Sequence, residues 1–311
     1  MNPTYLATAR LLIEVAPIVF EGGVFALKGG TAINMFLREL PRLSVDLDVV
    51  FPDHRPPRAD ALKTINEELR KIRGRLAERG LQVQTVSVAE MGETKLLVRR
   101  GDLLVKIEVN TVMRGTVHPT RMTPLSAAAS DALMADLDLP LLSPEDIYGG
   151  KLVAAMDRQH PRDLFDVMEL FAHGGITPDI RRAFVVYLAS HSRTFHEVLF
   201  PTPKDIRLAY EASFAGMTTE PVTLAALLET RERLFRELPA ALDANEREFL
   251  RTLVRAEPDW SLLGIPHLEE LPAIRWRLQN LQTLARTNPA RLRALWDALD
   301  ERLDGLPWGA S

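Results

Sequence analysis

Lys28-Gly29-Gly30-Thr31 is followed, after a helix-length gap, by Ser44-Val45-Asp46-Leu47-Asp48. Two glycines at the mouth of a helix let the backbone approach a ligand that a Cβ would block. Free N–H groups at such a mouth favour phosphate. Two carboxylates spaced by one residue on a strand project to the same side. Mg²⁺ takes oxygen ligands and is commonly held by one or two carboxylates plus substrate phosphates. The pattern therefore reads as a site for metal-assisted phosphate chemistry on a nucleotide, with Asp46 and Asp48 as metal ligands and Lys28, Gly29, Gly30 and Thr31 on the substrate side. A bare pair of alternate acids also occurs on solvent-facing strand edges. Ser44 shares the face of Asp46; it could bind phosphate, orient an acid, be modified, or be a plain strand hydroxyl.

Three other places carry candidate chemistry. Glu108, in the alternating run Leu103 to Asn110, is a possible third carboxylate, or a partner of Lys106 along the same face. Lys151 follows Tyr148-Gly149-Gly150 in a helical stretch, where the two glycines cost roughly 2 kcal/mol of helix propensity. Such a cost is tolerable where the backbone must come close to another element or a ligand. Lysine is a point charge suited to a terminal phosphate, and its plainer alternative is a solvated side chain. Arg162-Asp163-Leu164-Phe165-Asp166 follows the His160-Pro161 break. Asp163 could position Lys151, act as a general base, or cap that helix, and Asp166 faces similarly. Arg158, with Arg162, Arg181 and Arg182, could hold phosphates or line a solvated face, as could Arg70, Lys71, Arg73, Arg75 and Arg79.

Elements that position these residues are legible from periodicity. An amphipathic helix is expected over 5–20 and a short strand at Phe25-Ala26-Leu27. A helix over 31–39 is stopped by Pro41, and a strand runs from Leu43 to Phe51. A charged helix over 59–79 ends at Gly80. Strands follow from Leu81 to Val88, Glu93 to Arg99 and Leu103 to Asn110, the last two as a hairpin turning at Arg100-Gly101-Asp102. Ser143-Pro144-Glu145-Asp146 starts a helix to about residue 157. Helices are then expected over 162–172, 178–190, 203–213, 222–237, 243–255, 271–286 and 288–303. The chain reads as α+β: an α/β part over 1–125 and a helical part over 126–311 that would bring Lys151 and Asp163 to the site.

Composition narrows the class. The chain has 311 residues, 46% hydrophobic and 26% charged, with net charge −4 and no Cys. Disulfides, thiolate metal sites and cysteine nucleophiles are excluded, and a cytoplasmic protein is expected. No run of 18 uncharged apolar residues is present, and the opening residues lack a basic region, so neither a membrane span nor secretion is expected. The seven His show no ligand spacing, and neither G-x-S-x-G nor G-x-x-x-x-G-K-[ST] occurs. Phe165, Tyr148 and Trp276 are aromatics available for base stacking, with core packing the plainer role.

Lys28-Gly29-Gly30-Thr31, Arg42-Leu43-Ser44-Val45-Asp46-Leu47-Asp48, Lys106-Ile107-Glu108-Val109, Lys151, Arg158 and Arg162-Asp163-Leu164-Phe165-Asp166 together resemble the AbiEii/AbiGii toxin family. These are the nucleotidyltransferase-like toxins of abortive-infection and MenAT-type toxin–antitoxin systems. The resemblance covers about residues 25–170. It implies a polymerase-β-like core, a mixed sheet with flanking helices, and Mg²⁺ at Asp46 and Asp48. It further implies Ser44 beside the metal, Lys151 on the nucleotide, and Asp163 or Asp166 completing the site. Some family members add nucleotides from NTP to the 3′ end of tRNA, so tRNA is the implied acceptor and a cognate antitoxin the implied partner. Transfer to a protein or small molecule, or a non-catalytic nucleotide-binding module, are the alternatives.

Overall fold

A computed structural model describes residues 3–88 and 92–306. The chain divides into two compact units, Met1–Ile147 with Phe214–Val222, and Tyr148–Ser213 with Thr223–Ser311.

The first unit is built on a mixed seven-stranded sheet. Its elements are α1 (Pro3–Phe20), β1 (Ala26–Lys28), α2 (Gly29–Ala32), β2 (Asp46–Val50), α3 (Arg58–Glu78), β3 (Gln82–Val88), β4 (Gly92–Arg100), β5 (Leu103–Asn110), β6 (Arg121–Pro124), α4 (Ala127–Leu133) and β7 (Asp138–Leu141). Strand order is β3-β4-β5-β2-β1-β7-β6. β2 lies parallel to β5 and antiparallel to β1, and β1 is parallel to β7. The central strands alternate as their sequences require: Leu47, Val49, Val105, Ile107 and Val109 are buried while the acids between them are not. Gly101, at φ +59°, supplies the tight β4–β5 turn.

Helix α1 is apolar and, at 18 residues, long enough by length and composition to cross a membrane. Here Leu11, Leu12, Val15, Ile18 and Val19 are buried in the unit's core, and Glu14 pairs with Arg100 at 2.7 Å. α1 packs on β5 and α3.

The helix expected over 31–39 differs. The α-helical part is Gly29–Ala32, continued by a π-helical turn over Ile33–Leu37, after which Arg38 is extended. Chain reversal occurs at Leu40, at φ +53°, before Pro41 is reached. Pro41 and Leu43 then receive backbone pairing from the returning segment: Thr219 N–H donates to Pro41 O at 2.9 Å and Leu43 N–H to Met217 O at 3.0 Å. That pairing holds residues 43–45 out of the sheet, so β2 starts at Asp46 and Ser44 precedes it.

β6 and β7 have no counterpart in the sequence reading. Each is four residues long and carries a proline, too short for a visible alternation.

The second unit is helical: the end of α5 (Pro144–Asp157), then α6 (Pro161–Ala172), α7 (Pro178–Ala189), α8 (Phe195–Leu199), α9 (Arg207–Ser213), α10 (Leu224–Ala241), α11 (Ala244–Val254), α12 (Pro272–Thr287) and α13 (Pro289–Asp304). Phe184, Phe195, Phe249, Leu227 and Leu234 lie in its core. Ser143 caps α5 by accepting the Asp146 N–H at 3.1 Å. α11 opens on a capping box of Asp243 and Glu246. The stretch expected as a helix over 203–213 forms helix only from Arg207, and α8 is an additional short helix.

Candidate nucleotidyltransferase site

In the first unit the strand register assembles a row of charges. Asp48 stands opposite Lys28 of β1 and opposite Glu108 of β5, and Glu108 stands opposite Lys95 of β4. One step along, Asp46 stands opposite Lys106. All these side chains share one sheet face, since directly opposed residues point the same way. Leu47 between the acids is fully buried, so the acids themselves face away from the core.

Gly29 presses on this row. It adopts φ +76°, and a Cβ built there would lie 2.5 Å from Asp48 Oδ2. Only glycine allows both the left-handed turn and the approach to that carboxylate. A Cβ on Gly30 would lie 2.7 Å from Arg42 Nη2 and 3.2 Å from Ser44 Oγ. The turn is tied to the strand by Thr31, whose hydroxyl donates to the Asp46 carbonyl at 2.5 Å and shares a hydrogen bond with Ser44 Oγ at 2.9 Å. Ser44 is buried, so its hydroxyl serves here as a tie between turn and strand.

Glu108 is placed on the acid face, but its partner is not Lys106. Lys95 Nζ reaches its carboxylate at 2.8 Å, from the neighbouring strand rather than along its own. Among the described residues, no group of three His, Cys, Asp or Glu side chains could hold a metal ion. The donor set around β2 is thus two carboxylates. That fits Mg²⁺, which completes its oxygen shell from water and substrate phosphates.

In the second unit, Lys151 is 8% exposed, with Nζ 2.8 Å from Asp163 Oδ1 and 2.9 Å from Asp166 Oδ2. Arg158 Nη2 reaches the other oxygen of Asp163 at 2.9 Å. Asp163 and Asp166 lie three apart on α6, which puts both carboxylates over one turn. Burial alone would raise the pKa of Asp163; Lys151 and Arg158 outweigh it and hold the group below the usual carboxylate value. The carboxylate is therefore ionised and committed to two cations. It does not cap α6: His160 does, its Nδ1 accepting the Arg162 N–H at 3.1 Å. Burial, reinforced by Arg162, lowers the pKa of His160 and so favours the neutral ring an acceptor requires.

The glycines before Lys151 have a packing cause. A Cβ on Gly149 would lie 2.8 Å from the Phe184 nitrogen on α7, and one on Gly150 would lie 3.3 Å from the Tyr187 ring. Tyr148 and Phe165 are core residues, whereas Trp276 is 50% exposed, against the packing role expected for it. Arg42 carries no sequence signal of its own beyond its place in the Arg42–Asp48 motif. The structure shows it buried beside Gly30, donating to the Leu43 carbonyl at 3.1 Å.

The family model described as nucleotidyl transferase AbiEii toxin, type IV toxin–antitoxin system, matches residues 10–280. No curated protein matches the sequence. Among solved structures, MenT4, the nucleotidyltransferase toxin Rv2826c from Mycobacterium tuberculosis H37Rv, is similar in fold: TM-score 0.59 and 19% identity, covering 90% of this chain and 95% of that one. The E. coli MS115-1 CdnC:HORMA-deltaN complex also aligns, with TM-score 0.27 and 12% identity over 88% of this chain and 92% of that one. The chain belongs to the AbiEii nucleotidyltransferase toxins of type IV toxin–antitoxin systems.

Proposed function

We propose that this toxin transfers a nucleotide from an NTP to the 3′ end of tRNA, with Mg²⁺ at Asp46 and Asp48, and so blocks translation in the cytoplasm until a cognate antitoxin counters it. The observation that carries the reading is the register: Asp46 and Asp48, both half-buried, on one face of β2, with Gly29 held against the Asp48 carboxylate. Bound Mg²⁺ would offset charge on the triphosphate and on the attacking oxygen.

Each residue has a task in this reading. Asp46 and Asp48 would supply the two oxygen ligands, and Lys28, opposite Asp48, would temper their mutual repulsion. Glu108, with one carboxylate oxygen on Lys95, would offer the ion only its other oxygen. Gly29, Gly30 and Thr31 present backbone N–H groups to a phosphate, and Thr31 with Ser44 fixes that turn on the strand. In the second unit Asp163 and Asp166 hold the Lys151 ammonium in one place. By the family resemblance Lys151 is the cation assigned to the nucleotide, and Arg158 shares Asp163 with it. Asp163, ionised and doubly paired, positions this lysine rather than taking a proton.

Incubating the purified protein with α-labelled NTPs, Mg²⁺, total RNA and total protein tests the reading. Label in tRNA supports it. Label in protein or a small molecule moves the acceptor class, and no label in any fraction removes the enzyme reading.

A further inference from the structure

Residues 271–296 contain five arginines and two tryptophans but no Asp or Glu, in a chain whose net charge is −4. On α12, Arg275, Trp276, Gln279, Thr283 and Arg286 are all exposed. At 3.6 residues per turn they fall within about 100° of the helix circumference and span about 16 Å of its length. Elsewhere in this unit several arginines are matched to carboxylates, Arg181 to Glu246, Arg193 to Asp157, Arg251 and Arg255 to Asp300, while Arg302 lies over the Phe200 ring. Among the described residues Arg275, Arg286, Arg291 and Arg293 have no carboxylate partner. Arg277 is different: it is laid over the Phe195 ring and donates to the Ser192 and Arg193 carbonyls, so it is structural.

From this juxtaposition we infer that the outer face of α12, with Arg291 and Arg293 at the start of α13, is a docking surface for a single-stranded segment of RNA. The arginines meet phosphates, and the half-exposed indole of Trp276 stacks on an unpaired base. A folded protein partner would need carboxylates for four unmatched cations and a pocket for one indole. A strand of RNA brings a phosphate and a π-face in every nucleotide. The proposal rests on the RNA-acceptor reading above and adds to it where the acceptor is held.

The test is fluorescence anisotropy of the full chain with a labelled 20-nucleotide single-stranded RNA and with the same sequence in a duplex, over a salt series. Expected is tighter binding to the single strand, weakened about five-fold or more by Trp276→Ala. Arg275→Ala with Arg286→Ala should lower the salt slope by about 1.4, at about 0.7 per phosphate contact on a single strand. Arg236→Ala, an exposed arginine paired with Glu237 on α10, should change neither. Circular dichroism checks that each variant is folded. Unchanged affinity and slope in the α12 variants would overturn the proposal, as would equal binding of duplex and single strand without dependence on Trp276. Loss of antitoxin rescue with RNA affinity intact would assign the face to a protein instead and overturn it too. Label assays on the same samples separate the two ideas. Transfer to RNA with unchanged α12 affinities removes only this surface; α12-dependent binding without transfer removes only the acceptor reading.

Discussion

Replacing Lys151 by Met isolates what its buried charge does. The side chains are similar in length, so packing is largely kept while the ammonium is lost. In the native cluster Nζ lies 2.8 and 2.9 Å from two carboxylate oxygens. At an effective dielectric of about 20 each contact is worth roughly 6 kcal/mol before desolvation. Desolvation takes back much of this, and removing one partner of a buried pair costs about 3–5 kcal/mol. At ~2–4 °C per kcal/mol for a folding unit of roughly 150–250 residues, Lys151→Met should lower Tm by about 6–20 °C at pH 7. The pH dependence gives a sharper readout. In the native protein Lys151 and Arg158 hold Asp163 below the ordinary aspartate value of 3.8. Its stabilising contribution is present above that unfolded value and is lost only as pH falls through the still lower folded value. Without Lys151, burial opposes only Arg158, so the folded pKa of Asp163 rises. The variant then loses less stability than the native protein as pH falls through the ordinary aspartate range. Differential scanning calorimetry from pH 7 down to about pH 3, across the ordinary aspartate range, should show the Tm gap narrowing. A gap below ~3 °C at pH 7, or one that stays constant on acidification, would refute the reasoning.

Asp46→Asn and Asp48→Asn should each reduce nucleotide transfer by about 10²-fold or more, the scale of removing one electrostatic contact to a reacting group, with Tm little changed because relief of the repulsion between the acids offsets the lost attraction to the opposed lysine; label incorporation and a thermal melt check this. Glu108→Gln should reduce transfer less than either, because the Glu108 carboxylate is already given to Lys95; the same assay checks it, and an equal loss would make Glu108 an obligatory ligand. Gly149→Ala should destabilise by about 1–3 kcal/mol, since its Cβ would meet the α7 backbone at 2.8 Å. Gly29→Ala should abolish transfer beyond its backbone cost of about 1–3 kcal/mol, because the new methyl displaces Asp48 Oδ2 from 2.5 Å; activity at native level would show that this approach does not matter.

The acid face was legible because alternation fixes which way a strand residue points. Asp46 and Asp48 had to oppose Leu47 and Val49 once the strand formed. Asp163 and Asp166 were readable as neighbours from their helical spacing. That Lys151 lies between them depends on how α5 meets α6, which no single helix encodes. Glu108 illustrates the same limit. Lys106 is nearer in sequence, but in a sheet the neighbour across the ladder is closer in space, and that neighbour is Lys95. The π-helical turn over 33–37 and the return of residues 214–222 onto Pro41 and Leu43 are settled by tertiary pairing. Trp276 lay on a helix whose core face was visible only in part, and its exposure came from the packing of α12 against α13 and α7.

One measurement bears most directly on the central claim: incubation with an α-labelled NTP, Mg²⁺ and purified tRNA, with the tRNA 3′-terminal hydroxyls either intact or destroyed by periodate. The account predicts label joined to the 3′ end of intact tRNA, none on oxidised tRNA, and none from Asp46→Asn or in excess EDTA. Label appearing equally on oxidised tRNA, or undiminished in Asp46→Asn, would contradict it.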